Sequence, residues 1–339
     1  MSLEQEIKGK ALELGFDAAG ITDASPLGQE HAEHFEAWLR SGYAGPMQYM
    51  RRNLEKRLDP AKLLVGARSV IVVALSYKPP ATATAVGWAV PTICPGPIGT
   101  VGIAHPTCSE PVGKVAQYAQ YEDYHDFIKP LLRKLAGFVL SRTDRAHRFN
   151  ICVDSAPLAE KALAVRAGLG FIGRNHLLIH PDLGPEILLG ELVTTATLEP
   201  DEPGQGDCGG CDLCLRACPT GALRCDGFLD ARDCISCLTQ YEPSPKIGDW
   251  LFGCDECLLA CPHQQRAPAS TNRQSKRYPE RAHLNLRELM ELTPEEFGAR
   301  FHDSPIRRPG LATLVHSARL CSLNVHPPAC GSQTEMDRP

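Results

Sequence analysis

Cys208, Cys211, Cys214 and Cys218, with Pro219 directly after, stand in the C-x2-C-x2-C-x3-C-P spacing that folds thiolates round iron–sulfur clusters. In such a run the fourth cysteine serves a second cluster. Cys254, Cys257 and Cys261, followed by Pro262, form an incomplete copy that lacks a cysteine at the third position. Cys234, in DARDCISC, is the natural supplement, and the count then closes at two sets of four. Iron of this kind needs soft thiolate ligands, and a short C-x2-C-x2-C turn can present three of them to one face of a cube while a remote cysteine closes the fourth corner. By that logic Cys208, Cys211, Cys214 and Cys261 hold one [4Fe–4S] cluster, and Cys218, Cys234, Cys254 and Cys257 hold the other. Zinc is the competing occupant of paired CxxC elements. The complete four-cysteine spacing and the proline after both Cys218 and Cys261 favour two clusters. Cys225 and Cys237 are surplus to the count and read as buried thiols.

Clusters carry electrons singly and make no bonds, so bond-making chemistry must lie elsewhere in the chain. Asp154, in ICVDSAPLAEK, follows an apolar strand pattern at the place where α/β folds put their ligand sites. An Asp or Ser ahead of a helix with an early proline is also the ordinary N-cap arrangement, and the local sequence leaves both roles open. Two further patterns are set aside. Gly168, Gly170 and Gly173 have G-x-G-x-x-G spacing but follow a helix, which is the wrong context for a dinucleotide site and reads as a turn. Asp123 and His125 begin a D-x-H-x-x-G cobalt-ligating pattern, but Ile128 occupies the glycine position.

The elements that would carry these residues follow from periodicity. Residues 3–14 have helical spacing and stop at Gly15; FDAAGITDA reads as a strand, HAEHFEAWLRSG as a helix, and the β-branched RSVIVVALSY as a buried strand. Tyr124 to Arg142 is helical, with a kink or restart expected at Pro130. RFNICV is a strand, a helix ends near Ala167, and Glu186 to Thr197 is another strand. The alternation favours an α/β or α+β layer architecture. Residues 1–200 are expected to form that domain, interrupted by a Pro/Gly-rich insertion at 78–112, with the cysteine module at 201–265 and a linker and helical tail at 266–325.

The chain has 339 residues, is 43% hydrophobic and carries a net charge of −5, as suits a globular protein and not a basic nucleic-acid coat. A local positive face remains available, because 266–319 holds ten Arg or Lys against six Asp or Glu. The N-terminal MSLEQEIKGKALELGF is charged throughout, so neither a signal peptide nor a membrane span is expected. Fifteen cysteines in a long chain without an export signal suggest metal binding in the reducing cytoplasm.

Taken together, GYAGPMQYMRRN, RLDPAKLLVGARSVIVVALSY, YEDYH, VDSAPLAEKALAVRAGLGFIGRNHLLIHPDLG, the cysteine block with FGCDECLLACP, and SPIRRPGLATLVHSARL resemble the epoxyqueuosine reductase (QueG) family. The resemblance implies a nitroreductase-like or reductive-dehalogenase-like domain that binds cobalamin without a protein histidine, beside a two-[4Fe–4S] ferredoxin-like module. It implies reduction of epoxyqueuosine to queuosine at the wobble position of tRNA, the last step of queuosine biosynthesis, with an unidentified low-potential electron donor. Asp154 matches the family's proton donor, and Arg57 and Ser236 match positions of the cobalamin pocket. For the anticodon stem-loop of the tRNA, the chain offers Arg273, Lys276, Arg277, Arg281, Arg307 and Arg308. A reductase of the same fold acting on a small molecule and an electron-transfer protein without cobalamin are the alternatives. The chain departs from the family pattern at Gln117, Tyr121, Cys237, His263 and Gln264.

Overall fold

The computed structural model describes residues 1–80, 110–143, 146–271 and 275–324. Nearly all of the expected insertion, and Arg273, lie outside them. The described strands are β1 (Ala18–Asp23), β2 (Ser69–Ser76), β3 (Val112–Val115), β4 (Phe149–Cys152), β5 (Phe171–Ile172), β6 (Leu178–Ile179), β7 (Ile187–Thr194), β8 (Trp250–Phe252) and β9 (His283–Asn285). The helices used below are α1 (Leu3–Glu13), α2 (Gln29–Arg40), α3 (Leu54–Leu58), α4 (Pro60–Leu63), α5 (Tyr124–Arg142), α6 (Glu160–Arg166), α7 (Leu213–Ala217), α8 (Ile235–Tyr241), α9 (Glu256–Leu259), α10 (Pro262–Arg266), α11 (Leu286–Glu291), α12 (Pro294–Phe301) and α13 (Gly310–Asn324).

Every residue of β2 is buried, so both faces of this strand need a cover. Alternation divides them. Ile71, Val73 and Leu75 join Ile7, Ala11, Ile128, Leu132, Leu135 and Val139 under α1 and α5. Val70, Val72 and Ala74 join Leu163, Ala164 and Val193 on the α6 side. Each such aliphatic side chain contributes about 1.5–3 kcal/mol by leaving water. The sheet order is β1-β2-β7-β4. All three pairings are antiparallel, so the alternation of helices and strands produces an α+β layer and not a parallel α/β sheet. Close approach requires glycine twice. A Cβ on Gly190 would stand 2.9 Å from Ile128 of α5, and one on Gly20 would stand 2.0 Å from the carbonyl oxygen of Ala167 at the end of α6.

α5 runs through Pro130 without interruption. The proline lies on the exposed side, where water can satisfy the Asp126 carbonyl that loses its helical donor. A second core forms round β3, β8 and β9, with Phe252, Leu286, Leu289, Phe301, Leu314 and Ala318 buried in it. The C-terminal helices are therefore packed core and not a detached tail. β3 pairs with both β8 and β9, so residues 112–115 cross from the first two hundred residues into this second core.

Candidate active site and thiol sets

Cys208, Cys211, Cys214 and Cys261 line one cavity of about 210 Å³ together with Arg174, Ile179 and His263. The Arg174 amide donates to Cys208 Sγ at 3.4 Å. The other four thiols gather at helix ends: Cys218 closes α7, Cys234 is the N-cap of α8, and Cys254 and Cys257 flank the start of α9. Burial pushes the Cys257 thiol up, and Cys254, Cys234 and Cys218, all within electrostatic range, push it further. Burial also opposes ionisation of Cys218, but the backbone amides of Leu223, Thr220 and Ala222 and the Thr220 hydroxyl outweigh it and lower its pKa. Hydrogen bonds of this kind are what an anionic sulfur needs. Among the described residues no three His, Cys, Asp or Glu side chains are grouped closely enough to hold a single ion; the first set is spread round its cavity. Cys237 is a buried thiol as expected, but Cys225 is not: it is exposed, because it lies in the solvent-facing Arg224–Gly227 turn.

A larger cavity, about 770 Å³, opens between the sheet and α8. Its wall includes Tyr49, Tyr77, Tyr118, Tyr124, Asp154, Ser236, Cys237 and Arg308. Cys234 lines it too, so one short helix joins the second thiol set to the cavity. Cys237 is buried, and burial followed by the proximity of Cys234 pushes its thiol up to about 12. Arg57, in α3, stacks its guanidinium 5.8 Å from the Tyr49 ring centroid and faces the charges of Glu160 and Asp154. Its Nε is buried with no hydrogen-bond partner among the described residues. Asp154 and Ser236 thus share the cavity wall, and Arg57 lies behind Tyr49, within electrostatic range of Asp154.

Asp154 sits two residues beyond β4 with φ +55°, in the left-handed region. It does not cap α6, whose N-cap is Ala159, because five residues intervene and the intervening Pro157–Leu158 segment keeps the chain out of the helix. Its side chain is 62% exposed. Tyr124 donates its hydroxyl hydrogen to Asp154 Oδ2 at 2.6 Å and accepts from Arg308 Nη1 at 2.9 Å. Arg308 in turn donates to Asp123 Oδ1 at 3.0 Å, and His125 Nδ1 lies 2.8 Å from the same oxygen. Burial works against ionisation of Asp123, yet its contacts with His125 and Arg308 hold the carboxyl at about 2. Burial pushes the Tyr124 phenol up, and Asp154 adds to it, so the phenol stays a neutral donor.

The residues offered for RNA phosphates separate here. Arg308 belongs to the Asp154 network, and Arg281 is buried against Asp303 at 2.6 Å. Arg277 donates to Gln120. Lys276 and Arg307 remain exposed. The departures from the family pattern also find partners. The Gln117 amide donates to the buried Asp255, Tyr121 meets Tyr77 edge-on, and His263 meets Phe171 edge-on at 5.6 Å. Gln264 donates to Glu186, a fully buried carboxyl whose pKa burial and Asp255 raise to about 7.

A family model described as "Epoxyqueuosine reductase QueG, DUF1730" matches residues 57–155, and one described as "4Fe-4S double cluster binding domain" matches residues 207–264. The epoxyqueuosine reductase of Pseudomonas aeruginosa is 37% identical over 316 residues, covering 91% of this chain and 81% of that protein. A crystal structure of epoxyqueuosine reductase with an epoxyqueuosine-modified tRNA-Tyr stem loop aligns at 30% identity and a TM-score of 0.80, over 95% of this chain and 81% of that one. The Bacillus subtilis epoxyqueuosine reductase, solved with its catalytic loop swung out of the active site, aligns at 29% identity and a TM-score of 0.81 over the same shares.

Proposed function

Since this chain belongs to the epoxyqueuosine reductase family, we propose that it is an oxidoreductase converting epoxyqueuosine to queuosine at the wobble position of tRNA. Two electrons and two protons enter, both C–O bonds of the epoxide break, an alkene forms, and the oxygen leaves as water. The observation that carries this reading is the Asp154 carboxyl on the wall of a cavity whose opposite wall, α8, begins at a thiol of the second set.

In this reading Cys208, Cys211, Cys214 and Cys261 bind one [4Fe–4S] cluster, and Cys218, Cys234, Cys254 and Cys257 bind the other, nearer the cavity. Cobalamin suits the cavity on two counts. The volume falls in the upper part of the usual range for ligand sites, and the tyrosine walls suit a flat macrocycle. Ser236 on the wall, and Arg57 through the Tyr49 ring it stacks on, would hold it. When bound, cobalamin supplies a metal centre that collects electrons one at a time and delivers them as a pair. The protein's own part is proton placement. An alkoxide is a poor leaving group unless it is protonated, and Asp154 delivers a proton to that oxygen. Tyr124 and Arg308 then stabilise the carboxylate that remains.

No described helix is long and apolar enough to cross a membrane. Of the cations offered for RNA, Lys276 and Arg307 are exposed and outside the Asp154 network, and cytoplasmic location follows from the tRNA substrate. The reductant is a low-potential one-electron donor. Anaerobic incubation of the reduced, cobalamin-loaded protein with epoxyqueuosine-containing stem-loop RNA tests the reading through the appearance of queuosine. Asp154→Asn should keep iron–sulfur absorbance and cobalamin binding but lose turnover. Full turnover by that variant would remove Asp154 from the reaction.

A further inference from the structure

Asp154 is held from two sides, and only one of them involves its carboxyl. The Ser155 amide donates to the Val153 carbonyl at 2.5 Å across Asp154, whose φ is +55°. A three-residue turn with a positive central φ is the rarer, strained form of the γ-turn, and a side-chain-bearing residue held there needs outside restraint. The Asp154 amide donates to Glu160 Oε1 at 2.6 Å, a short bond to a carboxyl at the start of α6. Behind Glu160 stands Glu191, fully buried in the middle of β7 opposite Cys152. Both Glu191 oxygens are buried with no hydrogen-bond partner among the described residues, and Glu160 is the neighbouring carboxyl that bears on them. Glu160 is closely surrounded by protein atoms while part of its surface still meets solvent. Asp154, Lys161 and Arg57 are the other charged groups that face it.

We propose that Glu160, propped by Glu191, is a positioning residue for Asp154, clamping the Val153–Ser155 turn in the conformation that presents the carboxyl to the cavity. The proposal rests on the proton-donor reading of Asp154. The side-chain contacts from Tyr124 and Arg308 change when Asp154 gives up its proton, because they strengthen toward the carboxylate. The backbone contact to Glu160 does not depend on that proton, so it keeps the turn in place throughout proton delivery and recharging. Burial and the Asp154 charge both raise the pKa of Glu160, and burial raises that of Glu191. A protonated Glu191 beside Glu160 leaves an acceptor oxygen on Glu160 free for the amide.

Glu160→Ala and Glu160→Gln separate this role from a merely structural one. In the cobalamin-loaded holoenzyme, Glu160→Ala should lower kcat about tenfold or more with KM unchanged, the effect of losing one charge-assisted hydrogen bond. Deuterium exchange of a peptide covering residues 149–158 should rise by a similar factor. Glu160→Gln keeps a carbonyl acceptor and should stay near wild type in both, with iron–sulfur absorbance reporting an intact fold throughout. Should the alanine variant not fold, Glu160→Met, which keeps the volume and removes the acceptor, takes its place and should show the same loss. Slow exchange and normal kcat in Glu160→Ala, or a Glu160→Gln as impaired as the alanine variant, would overturn the clamp. Fast exchange with normal kcat would also overturn the positioning role. Failure of the clamp leaves the Asp154→Asn result standing, so the two ideas fail separately.

Discussion

Removing the Tyr124 hydroxyl is the most direct probe of how the carboxyl is made ready. In Tyr124→Phe, Asp154 loses its 2.6 Å donor and Arg308 loses a 2.9 Å acceptor, while the ring, packed in the core under α5, keeps its volume. Hydrogen bonds to charged groups contribute about 1.5–3 kcal/mol. With the proton about half transferred in the transition state, about half of that, roughly 1 kcal/mol, is felt in the barrier, which is about fivefold in rate. Arg308 keeps Asp123 as a partner and stands 3.9 Å from Asp154, so the guanidinium stays in place and limits the loss. Single-turnover conversion of epoxyqueuosine stem-loop RNA by the pre-reduced protein should therefore show the rate constant down about fivefold, with RNA affinity unchanged. The double variant with Asp154→Asn should be no slower than Asp154→Asn alone, because Tyr124 acts through that carboxyl. Equal slowing in both backgrounds would show that the hydroxyl works elsewhere, and an unchanged rate in the single variant would refute the reasoning outright.

Cys234→Ser should lower bound iron to about half and abolish turnover while leaving the first set loaded, whereas Cys225→Ser should change neither; iron analysis and EPR check both. Glu186 supplies a test by pH. Its folded pKa of about 7 stands above its ordinary 4.5, so the native chain holds a proton that the unfolded chain has released. That contribution is present below pH 4.5 and is lost as pH rises through 7, a decline on the order of 3 kcal/mol. Denaturant midpoints measured under anaerobic conditions should fall across this window, and less steeply in Glu186→Gln.

The cysteine sets were legible because their ligands sit at fixed short spacings, and the count alone recruited Cys234. β2 was legible because a short β-branched run bounded by Gly66 and Pro79 fits a buried strand. Strand direction was not, since antiparallel pairing is decided by the sheet as a whole. Arg308 read as a cation for RNA phosphates because its actual partners, Asp123 and Tyr124, lie more than 180 residues earlier. The D-x-H pattern at Asp123 and His125 was set aside as a cobalt motif; its use is to anchor Arg308. Glu191 did leave a signal: a lone carboxyl inside the apolar LLGELV run is costly to bury and so marks a special environment.

The placement of Cys234 at the head of α8 makes the cavity and the second thiol set share one wall. Water that leaves the cavity when it fills also leaves one side of the Cys234 sulfur, and solvent exposure is among the factors that set how readily an iron–sulfur centre accepts an electron. In the proposed reading, occupancy and reducibility are therefore coupled: a cluster held by Cys234 would have a different electron affinity when the chamber beside it is dry.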